Sequence, residues 1–200
     1  MKLLYSPASP YAAKVRMAAH HAGIAIELEK VETASNPPEL MANNPLGKIP
    51  TLVRQNKPPI YDSIAIMHHL DRLSGGKLYP RKDEKRTEVE VLEALCDGIM
   101  DSLLAIMNER RNRSEDKVHQ PWIEKQWDKV GRALDHLDGH LPKTGKKLHG
   151  GHFALAAALS YIDLRFGDRE DWRNGRPQLA AWPAAFTKHF PDYPALKANA

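Results

Sequence analysis

Asn44-Pro45-Leu46-Gly47-Lys48-Ile49-Pro50-Thr51-Leu52-Val53 is the stretch on which the reading of the fold turns. Its first half gathers the turn formers Asn, Pro and Gly, and its second half, from Ile49 to Val53, carries the apolar and β-branched residues of a strand. A proline near the start of that strand cannot donate to a ladder, so Pro50 leaves an unpaired edge. A cis bond before it would turn the N–H and C=O of Ile49 outward. An extended peptide can pair with such an edge. The alternative reading is a plain proline between turn and strand.

Working outward, Lys2 to Tyr5 is a short apolar run ended by Ser6-Pro7, and Ile26, Leu28 and Lys30 alternate with Ala25, Glu27 and Glu29. Both segments read as strands. Pro10 to Ala22 reads as a helix between them, with Ser9 as N-cap, Pro10 at the first helical position and Gly23 as stop. Downstream, Asn36-Pro37-Pro38 breaks the chain, and Lys57-Pro58-Pro59 reads as a turn into a short fourth strand at Ile60-Tyr61. A helix capped by Ser63 then runs to Leu73 and ends before Ser74-Gly75-Gly76.

Beyond a linker from Ser74 to Asp83 the period changes. Val89, Leu92, Cys96, Ile99, Leu103 and Ile106 recur at spacings of three and four, and Ile123, Trp127, Val130, Leu134, Leu137 and Leu141 repeat the pattern. These are two amphipathic helices packed through their stripes. Phe153 to Ile162 is apolar almost all round, which predicts a helix enclosed on every side, and Leu179, Trp182 and Phe186 mark one more. The expected architecture is α/β plus all-α: a βαβ-ββα unit over residues 1–76 and a helical unit over 84–200.

The chain has 200 residues, 42% hydrophobic and 27% charged, which excludes disordered, collagen-like and coiled-coil classes. Its one cysteine, Cys96, excludes an internal disulfide and a cysteine-built zinc cluster, and fits a reducing compartment. The longest apolar run, Phe153 to Leu159, is far short of the roughly 20 residues of a membrane span, and the N-terminal apolar stretch is too short for a signal peptide. A cytoplasmic chain with no membrane partner is expected. Net charge is +4, which favours small anionic ligands. The basic stretches 81–86 and 109–113 are diluted by acids or placed at a helix end, as solvated surface is and nucleic-acid footprints are not. His136 and His140 lie one helical turn apart without a third ligand, so no metal is expected.

Ser9-Pro10-Tyr11-Ala12-Ala13-Lys14-Val15-Arg16, the decapeptide 44–53 and Tyr61-Asp62-Ser63-Ile64-Ala65-Ile66 together resemble cytosolic glutathione transferases, the bacterial members with serine-type or omega-like N-terminal motifs above all. The resemblance implies a thioredoxin-like N-terminal domain that holds most of the glutathione site, an all-helical C-terminal domain, and a homodimer. It implies glutathione as co-substrate with no further cofactor, and a small electrophile as second substrate. It also implies a cis Ile49–Pro50 bond, with the Ile49 backbone pairing with the cysteinyl unit of glutathione. Lys48 reads either as the cation that neutralises the glycyl carboxylate or as an exposed lysine flanking the strand. On the residues alone Asp62 and Ser63 read as an N-cap pair that needs no ligand; with the resemblance they would hold the charged γ-glutamyl head. Tyr5 and Ser6 are weaker candidates than Ser9, which family spacing selects because it lies five residues before Lys14.

On the residues alone, Ser9 reads first as an N-cap; the resemblance makes it the catalytic residue. Moving a thiol pKa from about 8.5 to roughly 6.5 takes about 2.7 kcal/mol. A hydroxyl hydrogen bond to a thiolate supplies about 1.5 to 3 kcal/mol and a helix N-terminus about 0.3 to 1, so the two together suffice. A non-enzymatic glutathione-binding protein, and a reductase or isomerase of the same fold, are the alternatives; the second normally uses a cysteine where Ser9 stands. One departure concerns His149 and His152, where the family usually has Ser or Thr and then Asp as a capping box, so the capping of the central helix is left open.

Overall fold

Leu3 and Leu4 stand side by side in the first strand and both are fully buried, so the sheet is covered on its two faces. The computed structural model describes residues 1–167 and 171–199. Strands β1 (Lys2–Tyr5), β2 (Glu27–Lys30), β3 (Thr51–Arg54) and β4 (Lys57–Ile60) form one sheet in the order β2-β1-β3-β4. β1 is parallel to β2 and antiparallel to β3, and β3 is antiparallel to β4. Helices α1 (Pro10–Ala22) and α3 (Ser63–Leu73) share a core with Leu3 and Leu52, whereas α2 (Pro38–Asn43) brings Leu40 against Leu4 and Val31. This is the expected βαβ-ββα unit.

Three local expectations need correction. Lys57-Pro58-Pro59 is the body of β4, and the turn is Gln55-Asn56, with Asn56 in the left-handed region at φ 54°. β4 lies at the edge of the sheet, where missing N–H donors cost little, so two prolines fit a strand. Pro38, read only as part of a break, starts α2, a helix of 6 residues that is too short to show a period. Helix α3 is capped by Asp62, whose Oδ1 accepts the Ile64 N–H at 3.1 Å, and Ser63 is its first helical residue.

The helical half comprises α4 (Asp83–Arg111), α5 (Gln120–Gly139), α6 (Gly150–Phe166), α7 (Pro177–His189) and the short α8 (Tyr193–Leu196). As expected, α6 is enclosed, with every residue from Gly150 to Ile162 buried. Its first turn approaches α4 so closely that a Cβ on Gly151 would lie 2.7 Å from the Leu92 side chain. The segment 74–82 is no loose tether, because Leu78 and Tyr79 are buried and their N–H groups both donate to Asp71 Oδ1, at 2.9 and 3.0 Å.

Charge ties the two halves together. Lys14, fully buried on α1, reaches Glu93 at 3.0 Å and Asp97 at 2.8 Å on α4, and the Tyr79 hydroxyl also donates to Glu93. Burial disfavours the ammonium, but the two facing carboxylates outweigh it and raise the Lys14 pKa. Two carboxylates share one cation, and burial pushes Asp97 up to about 6 against the pull of Lys14. Removing one partner of a buried pair leaves an uncompensated charge. Lys14→Ala should therefore lower unfolding free energy by about 3 to 5 kcal/mol, measured by urea denaturation at pH 7; a loss below 1 kcal/mol would mean that water reaches the two acids.

The start of α6 is held by histidine. His152 Nδ1 accepts the His149 N–H at 3.2 Å, and its Nε2 lies 3.2 Å from the Lys143 carbonyl. His152 thus does what an Asp does in a capping box, with one nitrogen accepting and the other donating. Burial lowers His149 to about 3 and His152 to about 4. Below pH 6.5 the unfolded chain protonates both while the native chain does not, so stability falls with pH; Asp97, at about 6, works in the opposite direction. From pH 7 to pH 5 these three groups together should cost about 2 to 3 kcal/mol. Urea midpoints across that range should fall in the wild type and much less in His149→Ser/His152→Asn; equal declines would assign the acid sensitivity elsewhere.

Candidate functional site

Strand register decides which ends meet. Because β3 runs antiparallel to β1, with Leu4 opposite Thr51, the chain leaving β1 toward Ser9 lies beside the chain approaching β3 through Ile49-Pro50. Because β4 runs antiparallel to β3, with Leu52 opposite Ile60, the chain leaving β4 toward Asp62-Ser63 emerges at the same end. Ser9, Lys48, Ile49, Pro50, Asp62 and Ser63 are therefore gathered at one end of the sheet, although they are up to 54 positions apart in sequence.

The N-termini of α1 and α3 both open at this end, with their free amides and partial positive charge. Ser9 Oγ accepts the Ala12 N–H at 3.2 Å and caps α1. That bond uses an acceptor lone pair, so the hydroxyl proton stays available for an anion. Capping and anion binding, which compete as readings of the sequence, are compatible in the structure. Asp62 is exposed and Ser63 is buried behind it.

The approach to β3 is braced from inside. Asn44, 1% exposed, donates through Nδ2 to the Lys48 carbonyl at 2.8 Å and to Thr51 Oγ1 at 3.1 Å, while its Oδ1 accepts the Leu46 N–H. Gly47, at φ 60°, makes the intervening turn that a side chain would strain. The Ile49–Pro50 bond is cis, and Ile49 lies outside the β1–β3 pairing, which ends at Thr51. Lys48 is exposed and stands beside this edge. Of the weaker candidates, Tyr5 lies with its ring under the Arg16 guanidinium at 5.2 Å, and the Ser6 carbonyl accepts the Ser9 N–H at 3.0 Å.

The Tyr11 hydroxyl donates to Asp101 of α4, a contact from the first turn of α1 to the helical half. Burial and the neighbouring acid both raise the Tyr11 pKa, which keeps the phenol a neutral donor. Its sequence signal is a row of acids, Glu93, Asp97 and Asp101, four residues apart and aligned with Tyr11 and Lys14. Cys96 takes no part, as burial pushes its thiol well above the usual range. His136 and His140 stack on each other at 4.2 Å, and no cluster of three or more metal-ligating side chains occurs among the described residues.

Two family models match the chain: the glutathione S-transferase N-terminal domain over residues 3–78 and the C-terminal domain over residues 120–185. The chain belongs to the glutathione S-transferase family. Its N-terminal half is a thioredoxin-like domain and its C-terminal half the helical domain of that family. The uncharacterized GST-like protein YibF of Escherichia coli K12 is 31% identical over 184 residues, covering 90% of each chain. A glutathione S-transferase from Methylobacillus flagellatus KT, solved with GSH bound, superposes with a TM-score of 0.88 at 34% identity and 99% coverage of both chains. A glutathione transferase family member from Pseudomonas fluorescens Pf-5, with bound glutathione, has a TM-score of 0.87 at 32% identity, covering 100% of this chain and 99% of that one.

Proposed function

We propose that this glutathione S-transferase family member is a serine-type transferase, which binds glutathione at the sheet end and conjugates it to a small electrophile. The observation that carries the reading is the gathering of two capped helix N-termini and the Ile49 edge at one end of one sheet, in a fold whose relatives hold glutathione. Residues 1–76 are the glutathione-binding unit. The Ile49 backbone pairs with the cysteinyl residue, and Lys48 neutralises the glycyl carboxylate. Asp62 takes the γ-glutamyl ammonium, while Ser63 and the amides of α3 take its carboxylate. The Ser9 hydroxyl donates to the sulfur, so the thiol proton leaves to solvent, and the thiolate attacks an electrophilic carbon, forming a C–S bond as that carbon's bond to its leaving group breaks and the leaving group departs to solvent with the electron pair.

The experiment is a pH series of thiolate absorbance with bound glutathione, together with calorimetry. Ser9→Ala should raise the bound thiol pKa by roughly one to two units and slow conjugation at pH 7 by about ten- to a hundredfold, with the loss shrinking at higher pH. Asp62→Asn keeps a capping oxygen but removes the charge, and should weaken glutathione about ten- to a hundredfold. An unshifted thiol pKa in Ser9→Ala would return Ser9 to a purely capping role.

Homodimerisation is part of the same proposal, on the surface where α4 meets the N-terminal domain. Ile99, Met100, Leu103 and Ile106 are buried within the chain, because α5 and α6 cover them. Exposed apolar residues on α3 and α4 include Ile64 and Val91, and His68 of α3 approaches Glu90 of α4 at 4.0 Å. Sedimentation should show a dimer at micromolar concentration that Val91→Glu dissociates; a monomeric wild type would refute it.

A further inference from the structure

We propose that segment 193–199 is a positioning strap for Ser9, in which the backbone N–H of Asn199 sets where the serine hydroxyl stands toward bound glutathione. The proposal rests on the role given to Ser9 above. Ser9 ends a turn and begins a helix. Its N–H donates to the Ser6 carbonyl at 3.0 Å, closing a turn with Pro7 and Ala8 at its centre, and its own carbonyl accepts the Ala13 N–H at 3.0 Å. Proline suits the second position of such a turn, whose closing bond leaves the carbonyl of that residue free. The Pro7 carbonyl takes its partner from outside: it accepts the Asn199 N–H at 3.1 Å.

The strap is anchored on both sides of that bond. On the helical half, the Tyr193 hydroxyl donates to the Ala156 carbonyl of α6 at 3.2 Å, and Ala198, 3% exposed, donates its N–H to Ser160 Oγ at 3.4 Å. On the N-terminal half, the Ala195 carbonyl accepts from Arg16 of α1 at 3.2 Å, and the same guanidinium lies over the ring of Tyr5 at the end of β1. His20 of α1 lies 3.0 Å from Asp192, just before α8. The strap thus ties the turn and the two elements that flank it to the enclosed helix α6. Without the Asn199 bond the turn is closed only on itself, and its central residues can pivot while β1 stays paired. Hydrogen bonds weaken steeply as their angle departs from linear, and a displacement of about 1 Å at a reacting group can cost about a hundredfold in rate. None of the strap's bonds involves Lys48, Ile49, Asp62 or Ser63. A loosened strap therefore acts on the Ser9 bond to sulfur and spares recognition of the rest of glutathione.

The test is the thiolate absorbance of bound glutathione across a pH series, with glutathione affinity from calorimetry and folding from urea midpoints. Asn199→Pro deletes the N–H in a segment that is not helical. It should raise the bound thiol pKa by about half a unit to one unit and slow conjugation at pH 7 about two- to threefold, with the loss shrinking at higher pH and glutathione Kd changed by less than about twofold. Asn199→Ala keeps the N–H and should restore the wild-type thiol. Ala198→Asp puts a charge into a buried seat and should act as Asn199→Pro does; if one of the two fails to fold, the other decides. In a Ser9→Ala background, Asn199→Pro should shift the thiol no further. A lower urea midpoint with an unshifted thiol pKa would make the strap a structural tie only and overturn the proposal, as would an equal shift in Asn199→Ala or an additive shift in the double variant. A shift in Ser9→Ala with none in Asn199→Pro overturns this proposal alone, whereas an unshifted Ser9→Ala overturns the reading of Ser9 and the strap's role with it.

Discussion

A lysine without solvent access, held between two carboxylates of another helix, fixes how the two halves of this molecule sit together. Apolar packing of α1 and α4 against α6 would tolerate a slide along the helix axes, since one apolar side chain replaces another at modest cost. Lys14 does not tolerate it. Only one placement of α4 brings both Glu93 and Asp97 to the ammonium, and any other leaves buried charge unpaired. Asp101 follows on the same face, so the placement also decides where Tyr11 is held. The geometry of the site thus depends on a charge arrangement one turn behind it.

The sheet end has its own constraint. Asn44 and Thr51, both buried, tie the Lys48 carbonyl from inside, which leaves the outward side of the Ile49 segment unpaired and rigid at once. A peptide that binds there meets an edge already ordered, so little entropy is lost on pairing. The two helix N-termini at the same end supply positive potential without a cluster of lysines, and the chain achieves this at a net charge of only +4.

Helix α6 shows how a buried polar function survives a change of chemistry. The start of an enclosed helix needs an acceptor for its N-cap amide, and His152 supplies one only while neutral. Its second nitrogen is satisfied by the Lys143 carbonyl, which selects the tautomer. A histidine at this position makes the cap sensitive to acid, because protonation removes its accepting nitrogen.

Much of this was legible in the residues. Strand β1, helices α1 and α3, and the long helices follow from period and caps, because local propensity and burial agree there. The candidate site residues stand out as motifs, since Ser9, Ile49-Pro50 and Asp62-Ser63 each sit where a chain direction changes. β4 and α2 were not: an edge strand tolerates prolines that local rules assign to a turn, and a helix of 6 residues shows no period. Nor does spacing along α4 tell a solvated acid from a buried one, or Met100 on a covered face from Met100 on a free one. Sequence alone determined the type and order of the elements, because these depend on neighbours a few residues away. Tertiary structure alone decided that Lys14 meets Glu93 and Asp97, that Tyr11 meets Asp101, and that three separated motifs share one end of a sheet, because such pairings depend on register and on exclusion of water across the whole fold.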